Sequence, residues 1–371
     1  MPELMKDGLG AEAVGRIAGS LARTVPGFPV EEFTTQAMDG ILELELKDRV
    51  RHLVAVLHDF LPRDFSETAT VLTRLKDNWI AGDPDDKLRG FAAWPVIDYI
   101  GEHGLSHPDE ALCALHELTA FFSAEFAIRP FIINHPDTTF RYLHEWTTDP
   151  DANVRRLVSE GSRPRLPWGQ QLPAVIEDPS KSLALLEKLK DDPSEFVRRS
   201  VANHLNDISK DHPDRVIATC LRWQKGAGPE RDWIIRHATR TLVKVGHPGV
   251  FVLLGFTDQP RLVCESLTLK NPAVRLGESL EFRLILKSAA KKDQKVVVDY
   301  AIHHLKANGK TSPKVFKLRT LEIPAGETVE IVKRHPIRPI STRKYYPGEH
   351  AIEILVNGKS YGVQPFTLNM D

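Results

Sequence analysis

Cysteine and long apolar runs are both scarce in this chain, and each scarcity excludes a class of protein. The three cysteines among 371 residues, Cys113, Cys220 and Cys264, are far apart and odd in number. They fit neither a disulfide framework nor a metal-binding ribbon, and they suit a reducing cytoplasm. The apolar runs are broken within a few residues, so no transmembrane helix is predicted. The N-terminus lacks the apolar segment of a signal peptide, and we expect a cytoplasmic protein that does not bind membranes.

Sequence motifs of common cofactor and metal enzymes are also missing. The sequence has no Walker-type phosphate loop, no GxGxxG after a predicted strand and no HExxH. The histidines lack metal-ligand spacing, and His303 and His304 lie in a predicted strand, where neighbouring side chains point to opposite faces. No Ser or Cys lies in a nucleophile-elbow sequence. We therefore predict a protein without cofactor or metal.

What the chain does contain is an internal repeat. Residues 149–160 (DPDANVRRLVSE) recur 43 positions later as residues 192–203 (DPSEFVRRSVAN), with six identities. Repeats of about 40 residues with helical patterning are typical of HEAT-type helix pairs, which stack into an α-solenoid. The sequence therefore predicts a solenoid in which one helix face of each repeat lines a shared surface.

The pattern changes near residue 256. From about residue 11 to 255 apolar residues recur with helical spacing, between short breaks that contain Pro and Asp. Apolar and polar residues then alternate over 280–286, 295–302, 328–332 and 351–356, and Asn357-Gly358 is a strong hairpin signal. About seven strands in such a length are typical of an immunoglobulin-like β-sandwich. The predicted fold class is α + β multidomain, with a HEAT-like helical-repeat α-solenoid over residues 1–258 and an immunoglobulin-like β-sandwich over residues 261–371.

Charge is divided unevenly along the chain. Residues 261–371 contain 19 Lys and Arg against 11 Asp and Glu, a net charge of +8, whereas residues 1–260 carry −9. A split of this kind is typical of a domain that meets a polyanion or a membrane surface. Two soluble domains with unrelated surfaces would give the same split, and composition leaves both interpretations open.

A helical projection of the repeat separates a core face from a polar face. The core face holds Val154, Leu157, Val158 and Gly161 in the first copy and Val197, Val201, Leu205 and Ile208 in the second. The polar face holds Arg156, Glu160, Arg199, Asn203, Asp207 and Lys210, and a weaker third copy at 233–241 adds His237 and Thr241. Stacking predicts a basic row of Arg156, Arg199 and His237, which suits regularly spaced phosphates. Alternatively, this is the solvated face of ordinary helices, with Arg156 and Glu160 as an i,i+4 ion pair.

An Arg- and Pro-rich loop, residues 159–169, follows the first copy and contains Trp168. The aromatic ring can stack on a nucleobase while Arg163 and Arg165 hold phosphates. Burial of the tryptophan as a cap on the solenoid core is an equally common use of the residue.

Glu125 lies in an apolar segment, residues 121–131 (FFSAEFAIRPF). A carboxylate in such surroundings needs a partner, for which Arg129 one turn later is a candidate, or else its pKa rises. A structural ion pair and a functional carboxylate are both compatible with this pattern.

Three segments make the sequence resemble a known family. Residues 125–131 (EFAIRPF), 153–168 (NVRRLVSEGSRPRLPW) and 196–213 (FVRRSVANHLNDISKDHP) are similar to the bacterial AlkC/AlkD HEAT-like-repeat DNA alkylation-repair glycosylases. The strands after residue 260 favour the AlkC type with a C-terminal immunoglobulin-like domain. The resemblance implies hydrolysis of the N-glycosidic bond of cationic bases, 3-methyladenine and 3-methylcytosine, in duplex DNA. It also implies base excision repair without full base flipping.

The resemblance assigns roles to the polar residues. A cationic base is a good leaving group, so negative charge near the developing cationic sugar and a positioned water suffice, without a general acid. Glu125 and Glu160 are the carboxylates for this role, with Asp207 in support, and Trp168 would pack against the sugar or base. The residues predicted to contact DNA are Arg156, Arg163, Arg165, Arg199, Asn203, Lys210 and His237. Position 203 is Asn where an AlkD-type protein carries an aromatic residue, so the aromatic cradle of AlkD is not carried over to it.

The alternative is a non-catalytic HEAT-type scaffold that binds a protein or DNA partner, a common use of solenoids. The arginine row and the 159–169 loop favour the enzyme. We expect a monomer that acts on alkylated double-stranded DNA, and no lysine stands out for a lyase step. The basic C-terminal domain is predicted to contact DNA and to close over the duplex. The residues for this contact are Lys291, Lys292, Lys295, Lys333, Arg334, Arg343 and Lys344.

Overall fold

A computed structural model describes residues 4–340 and 343–370, and its helices and strands divide the chain as the sequence predicts. The first helices are α1 (Ala11–Thr24), α2 (Val30–Met38), α3 (Leu46–Phe60), α4 (Phe65–Asn78), α5 (Trp94–His103), α6 (Pro108–Leu118), α7 (Arg129–Asn134) and α8 (Pro136–Trp146). They are followed by α9 (Ala152–Gly161), α10 (Pro173–Glu177), α11 (Ser180–Leu189), α12 (Glu195–Ile208), α13 (Pro213–Gln224), α14 (Pro229–Ala238), α15 (Arg240–Lys244) and α16 (Pro248–Leu253). No helix in the described ranges combines the length and the apolarity that crossing a membrane requires.

The identities shared by the two repeat copies fix the turn before each helix. Asp149 and Asp192 each accept the backbone N–H two residues later, at 2.8 Å in both copies. Arg155, the first arginine of its pair, donates to both carboxylate oxygens of Asp192, at 2.6 and 3.0 Å, and to the carbonyl of Asp149. Arg198 makes the matching bonds to the carbonyls of Asp192 and Pro193. The first arginine of each pair is therefore structural, and Arg155 also ties the first copy to the second.

The predicted core face of the repeat is confirmed. The apolar side chains of this face are all nearly inaccessible, and they are Val154, Leu157, Val158, Val197, Val201, Leu205 and Ile208. The predicted helix over 233–241 is wrong, because α14 ends at Ala238 and α15 begins at Arg240. Thr239 between them leaves the helical conformation, with φ −95° and ψ 5°. His237 and Thr241 therefore do not share one helix.

The C-terminal region is a two-sheet sandwich. Its strands are β1 (Leu262–Leu269), β2 (Ala273–Arg275), β3 (Ser279–Ser288), β4 (Gln294–Leu305), β5 (Thr311–Ile323), β6 (Thr328–Pro336), β7 (Gly348–Val356) and β8 (Lys359–Asn369). One sheet has the order β1-β3-β6 and the other β2-β8-β7-β4-β5, and among the strand pairs of the described residues only β2–β8 is parallel. Alternate residues of β3 and β4, such as Phe282 and Tyr300, fill the core between the sheets. The predicted hairpin is present, with Asn357 (φ 44°) and Gly358 (φ 75°) in the left-handed region that a two-residue turn requires.

The chain forms two compact units whose limits differ from the predicted domains. One unit comprises Met1–Asp211 and Ala227–Ile234, and the other comprises His212–Gly226 and Ile235–Asp371. In the second unit Ile217, Leu242, Val250 and Phe251 form an apolar cluster with Val297 of β4. The last helices therefore pack on the outer face of the sandwich. The domain limits 1–258 and 261–371 stay a prediction.

Candidate active site

In the first unit, acidic and basic side chains alternate along one continuous chain of ion pairs. Glu125 pairs with Arg156 (2.8 Å), Arg156 approaches Glu160 (3.7 Å), and Glu160 pairs with Arg163 (2.6 Å). Arg163 then pairs with Asp207 (2.7 Å), and Asp207 pairs with Lys210 (2.8 Å). The three carboxylates predicted from the sequence are thus brought into one network. The members become more exposed toward its two ends.

Glu160 lies in the interior of this network. Its Oε1 accepts from Nη1 of Arg163 at 2.6 Å, and its Oε2 accepts from the hydroxyl of Ser200 at 2.6 Å. Only 9% of its side chain is exposed. A buried carboxylate is stable only when paired and hydrogen-bonded, and both oxygens of Glu160 meet that condition. The serine stands where the first repeat copy has Leu157, so a departure from the repeat provides the partner.

Arg163 holds two carboxylates together. Its Nη1 donates to Glu160, and its Nε donates to Oδ2 of Asp207 at 2.8 Å. Burial alone lowers the pKa of the guanidinium, but the negative charges of Glu160 and Asp207 outweigh that effect and raise it. The side chain is only 8% exposed and is bonded to both carboxylates, so it positions the two acids. Its DNA contact stays a prediction.

Glu125, at one end of the ion-pair network, is partly accessible to solvent. Its Oε2 accepts from the hydroxyl of Ser123 and from Nη1 of Arg156, both at 2.8 Å. Its Oε1 has no hydrogen-bond partner within the described ranges. The guanidinium of Arg156 also lies over the ring of Phe196, 4.6 Å from its centroid, and that ring is about half exposed. The free oxygen and the exposed ring allow a ligand to reach the carboxylate at this end of the network.

The partner proposed for Glu125 from the sequence, Arg129, is wrong. Arg129 is fully buried and donates to the backbone carbonyls of Gly161, at 2.8 Å, and Gln170. Burial, reinforced by the nearby charge of Arg163, lowers the pKa of Arg129 to about 10. The residue therefore fixes the two ends of the loop that carries Trp168.

Trp168 is exposed on that loop. Its residue surface is 65% accessible, so the interpretation as a buried core cap is wrong. Its φ of 65° is in the left-handed region, which is strained for a residue with a side chain. Lys47 donates to its carbonyl oxygen at 3.1 Å and helps to hold this conformation. On the same loop Arg165 makes a two-bond pair with Asp211, at 2.9 and 2.8 Å.

The predicted basic row is only partly gathered in one place. Arg199 is exposed and pairs with Glu195 at 2.5 Å, and Asn203 is partly exposed on the same helix, α12. Lys210 is the most exposed member of the charged network, with 42% of its side chain accessible. His237 belongs to the second compact unit, so its alignment with Arg156 and Arg199 stays a prediction.

Sequence reasoning missed two serines that hydrogen-bond to the network. Ser123 bonds to Glu125 and Arg156, and Ser200 bonds to Glu160, and no helical projection shows these contacts. His204 is completely buried, and its Nδ1 donates to the carbonyl of Ser159 at 2.9 Å. Burial lowers the pKa of His204 to about 3, so its ring is neutral. The replacement of a core leucine by Ser200 in the second copy was the one sequence signal that could have revealed this support.

Comparisons with known proteins identify the family of the chain. Residues 118–241 match the family described as "DNA alkylation repair enzyme", and residues 263–370 match "Uncharacterised protein YhaZ, C-terminal Ig-like domain". The chain is 36% identical over 356 residues to the uncharacterized protein YhaZ of Bacillus subtilis (strain 168), covering 96% of each chain. It is also 36% identical to the alkylpurine DNA glycosylase AlkC of Pseudomonas fluorescens, whose structure was solved bound to DNA containing an abasic site analog. That match has a TM-score of 0.87 and covers 99% of this chain and 100% of the other. The chain therefore belongs to the AlkC-type DNA alkylation-repair glycosylase family, in which helical repeats are followed by an immunoglobulin-like domain.

Proposed function

We propose that this protein excises cationic N3-alkylated bases, 3-methyladenine and 3-methylcytosine, from duplex DNA, as the first step of base excision repair. The observation that carries the proposal is the Glu125 carboxylate, which is held through one oxygen by Ser123 and Arg156 and is free at the other. It lies at one end of a network that also contains Glu160 and Asp207. A hydrolase that works by charge stabilisation needs such a fixed carboxylate.

The chemistry follows from the charge of the lesion. A methylated cationic base leaves as a neutral molecule, so the positive charge passes to the sugar as the glycosidic bond breaks. Glu125 is suited to stabilise that charge and to orient the attacking water through its free Oε1, in the manner of carboxylates in glycoside hydrolysis. Glu160 adds negative charge behind it. Asp207 supports both by sharing Arg163, which keeps the acids at fixed positions.

The exposed residues around the network are suited to hold DNA. Trp168 presents its ring outward from the loop surface, which favours packing against the sugar or base without a pocket for a fully flipped base. Arg165, Arg199, Asn203, Lys210 and His237 are the proposed contacts to the DNA backbone. Arg156 serves mainly to position Glu125, because its guanidinium is already bonded to that carboxylate. The likeness to a DNA-bound AlkC supports this use of the surface.

The test is base release from methylated DNA. Purified protein is incubated with duplex DNA treated with a methylating agent, free bases are separated by chromatography, and abasic sites are detected as alkali-labile breaks. Release of 3-methyladenine and 3-methylcytosine is expected, and the Glu125→Gln variant, purified in parallel, controls for contaminating glycosylases. Strand breaks should appear only after alkali, because no lyase step is proposed. A folded protein that binds DNA and releases no base would favour the non-catalytic scaffold instead.

A further inference from the structure

A cavity of about 440 Å³ lies in the second compact unit, between the outer face of strands β4 and β5 and the helices before the sandwich. Its strand side is formed by Val297, Asp299, Val315 and Lys317, whose strand neighbours fill the sandwich core. Its helix side is formed by Val243, Leu254 and Phe256, together with Arg236, Arg240 and Lys244. The volume is in the range of small-molecule sites, roughly 300–1,000 Å³.

Asp299 is the unusual group in this cavity. The residue is 8% exposed, and its Oδ1 has no hydrogen-bond partner among the residues that the structure describes. The register of β4 against β5 shifts just before it, since Val298 pairs with Arg319 and Asp299 with Lys317. Burial raises the pKa of the carboxyl, and a hydrogen bond from the backbone of Leu318 opposes that rise. A buried acceptor without a donor is costly, so this oxygen is suited to a ligand that supplies an N–H.

The rim of the cavity is strongly basic. Arg236, Lys244, Lys295 and Lys317 are exposed there, and Nζ of Lys295 lies 5.8 Å from the ring centroid of Phe256. The walls below the rim are mostly valine, leucine and phenylalanine. A complementary ligand therefore combines a flat apolar body, a donor for the buried carboxylate and a strongly anionic group.

We infer that the cavity binds a nucleotide unit, with the base between Phe256 and the strand face, its amino group donating to Asp299, and its phosphate at the basic rim. The ligand is either a free mononucleotide or an unpaired nucleotide of a DNA strand, since both present the same chemistry. This inference is independent of the glycosylase reaction, whose proposed catalytic residues Glu125, Glu160 and Asp207 lie in the other unit.

The experiment measures nucleotide binding by the full-length protein. The probes are AMP, purine riboside 5′-monophosphate, which lacks the amino group, and a fluorescein-labelled single-stranded oligonucleotide. Affinities for the two nucleotides come from calorimetry and that for the oligonucleotide from anisotropy. Val315→Trp fills the cavity, and Lys317→Glu reverses a charge at its rim. Lys310→Glu is the matched control, since it makes the same charge change in the turn between β4 and β5.

We expect both cavity variants to weaken binding about tenfold or more, since charge-assisted bonds are the strong ones, whereas Lys310→Glu binds like the wild type. AMP should bind more tightly than the analogue without the amino group, and Asp299→Leu should abolish that difference. Loss of AMP binding in Val315→Trp identifies a free nucleotide, and a loss confined to the oligonucleotide identifies a nucleotide of DNA. The inference is overturned if Val315→Trp, folded by circular dichroism, binds both probes like the wild type, or if the wild type binds neither.

Discussion

The hydroxyl of Ser200 donates to Oε2 of Glu160 at 2.6 Å and thereby joins helix α12 to helix α9. In the first repeat copy the same position is Leu157, a fully buried core residue. The second copy thus has a hydroxyl, that of Ser200, at a core position. This hydroxyl provides the hydrogen bond that the buried carboxylate of Glu160 needs. This bond shows that the acidic network depends on a departure from the repeat as much as on the repeat itself.

Replacement of Ser200 by Ala should destabilise the protein measurably. A hydrogen bond to a buried charged group contributes about 1.5–3 kcal/mol, and its loss leaves one oxygen of Glu160 unsatisfied. Urea unfolding followed by circular dichroism gives the change in unfolding free energy. Ser194→Ala is the control, because Ser194 begins the same helix without a side-chain capping bond. An unfolding midpoint for Ser200→Ala equal to that of the wild type would contradict the assignment.

Glu125→Gln and Glu160→Gln should differ in what they damage. Glu125→Gln keeps an acceptor for Ser123 and Arg156 but removes the charge, so single-turnover base release should fall by two or more orders of magnitude with stability nearly unchanged. Glu160→Gln should also slow release, and it should lower stability because Arg163 loses one of its two buried carboxylates. Wild-type release by Glu125→Gln would remove that residue from the mechanism.

The sequence predicts the period of the repeat, its core face and the change from helices to strands, because each depends on local spacing. It does not predict that Glu160, Arg163 and Asp207 are buried. A helical projection gives the direction of a side chain but not what packs on it. Here Arg163, from the loop after α9, lies against the face that the projection treats as exposed, and its side chain is 8% accessible.

The ion-pair partner of Glu125 is a second feature that local sequence patterns do not predict. Arg129 is one turn away in sequence, whereas the observed partner, Arg156, is 31 residues away. Proximity in sequence favours Arg129. Arg156 reaches Glu125 only because α9 packs beside the segment before α7. Long-range side-chain pairs depend on tertiary packing, which a single sequence does not encode in any local pattern.

Replacement of Trp168 should separate DNA binding from stability. Trp168→Ala removes an exposed ring, so affinity for lesion DNA should fall roughly tenfold, the loss expected when one stacking contact is removed. Trp168→Gly should lose as much affinity but melt at a higher temperature than the alanine variant, because glycine adopts the φ of 65° without strain. Anisotropy and thermal melting measure the two effects. Unchanged affinity in both variants would show that the ring does not meet DNA.

Asp98 should make stability depend on pH. Burial raises the pKa of this carboxyl from 3.8 to about 7, although Nε1 of Trp94 donates to it at 2.9 Å. The folded state therefore retains a proton that the unfolded chain has released, and unfolding free energy falls as the pH rises from about 4 to 8. The loss from this group has an upper limit of roughly 4 kcal/mol.

Asp98→Asn removes this titration while keeping an acceptor for Trp94. The variant should match the wild type near pH 4 and exceed its unfolding free energy near pH 8. Denaturant unfolding at both pH values measures the difference. Equal stability of the two proteins at pH 8 would mean that Asp98 is ionised in the folded protein at no cost.

A DNA contact by the sandwich is better tested by charge-reversing substitutions than by removal of the whole domain. Removal of the chain after residue 259 would expose Ile217, Val250 and Phe251, which form an apolar cluster with Val297 of β4. A truncated protein would therefore lose stability along with any DNA contact. Substitutions in exposed turns leave that cluster intact.

The double variant Lys291→Glu/Lys292→Glu should weaken DNA binding. Both lysines are exposed in the turn between β3 and β4, and the C-terminal region carries a net charge of +8. If both meet phosphates, the slope of log affinity against log salt should become shallower by about 2, because each neutralised phosphate releases counterions. The control, Lys306→Glu/Lys310→Glu, makes the same charge change at the opposite end of β4. Both double variants change the net charge of the protein equally. An equal loss of affinity in both would therefore contradict a specific contact at the β3–β4 turn, whereas a loss confined to the first pair would locate the duplex beside that turn.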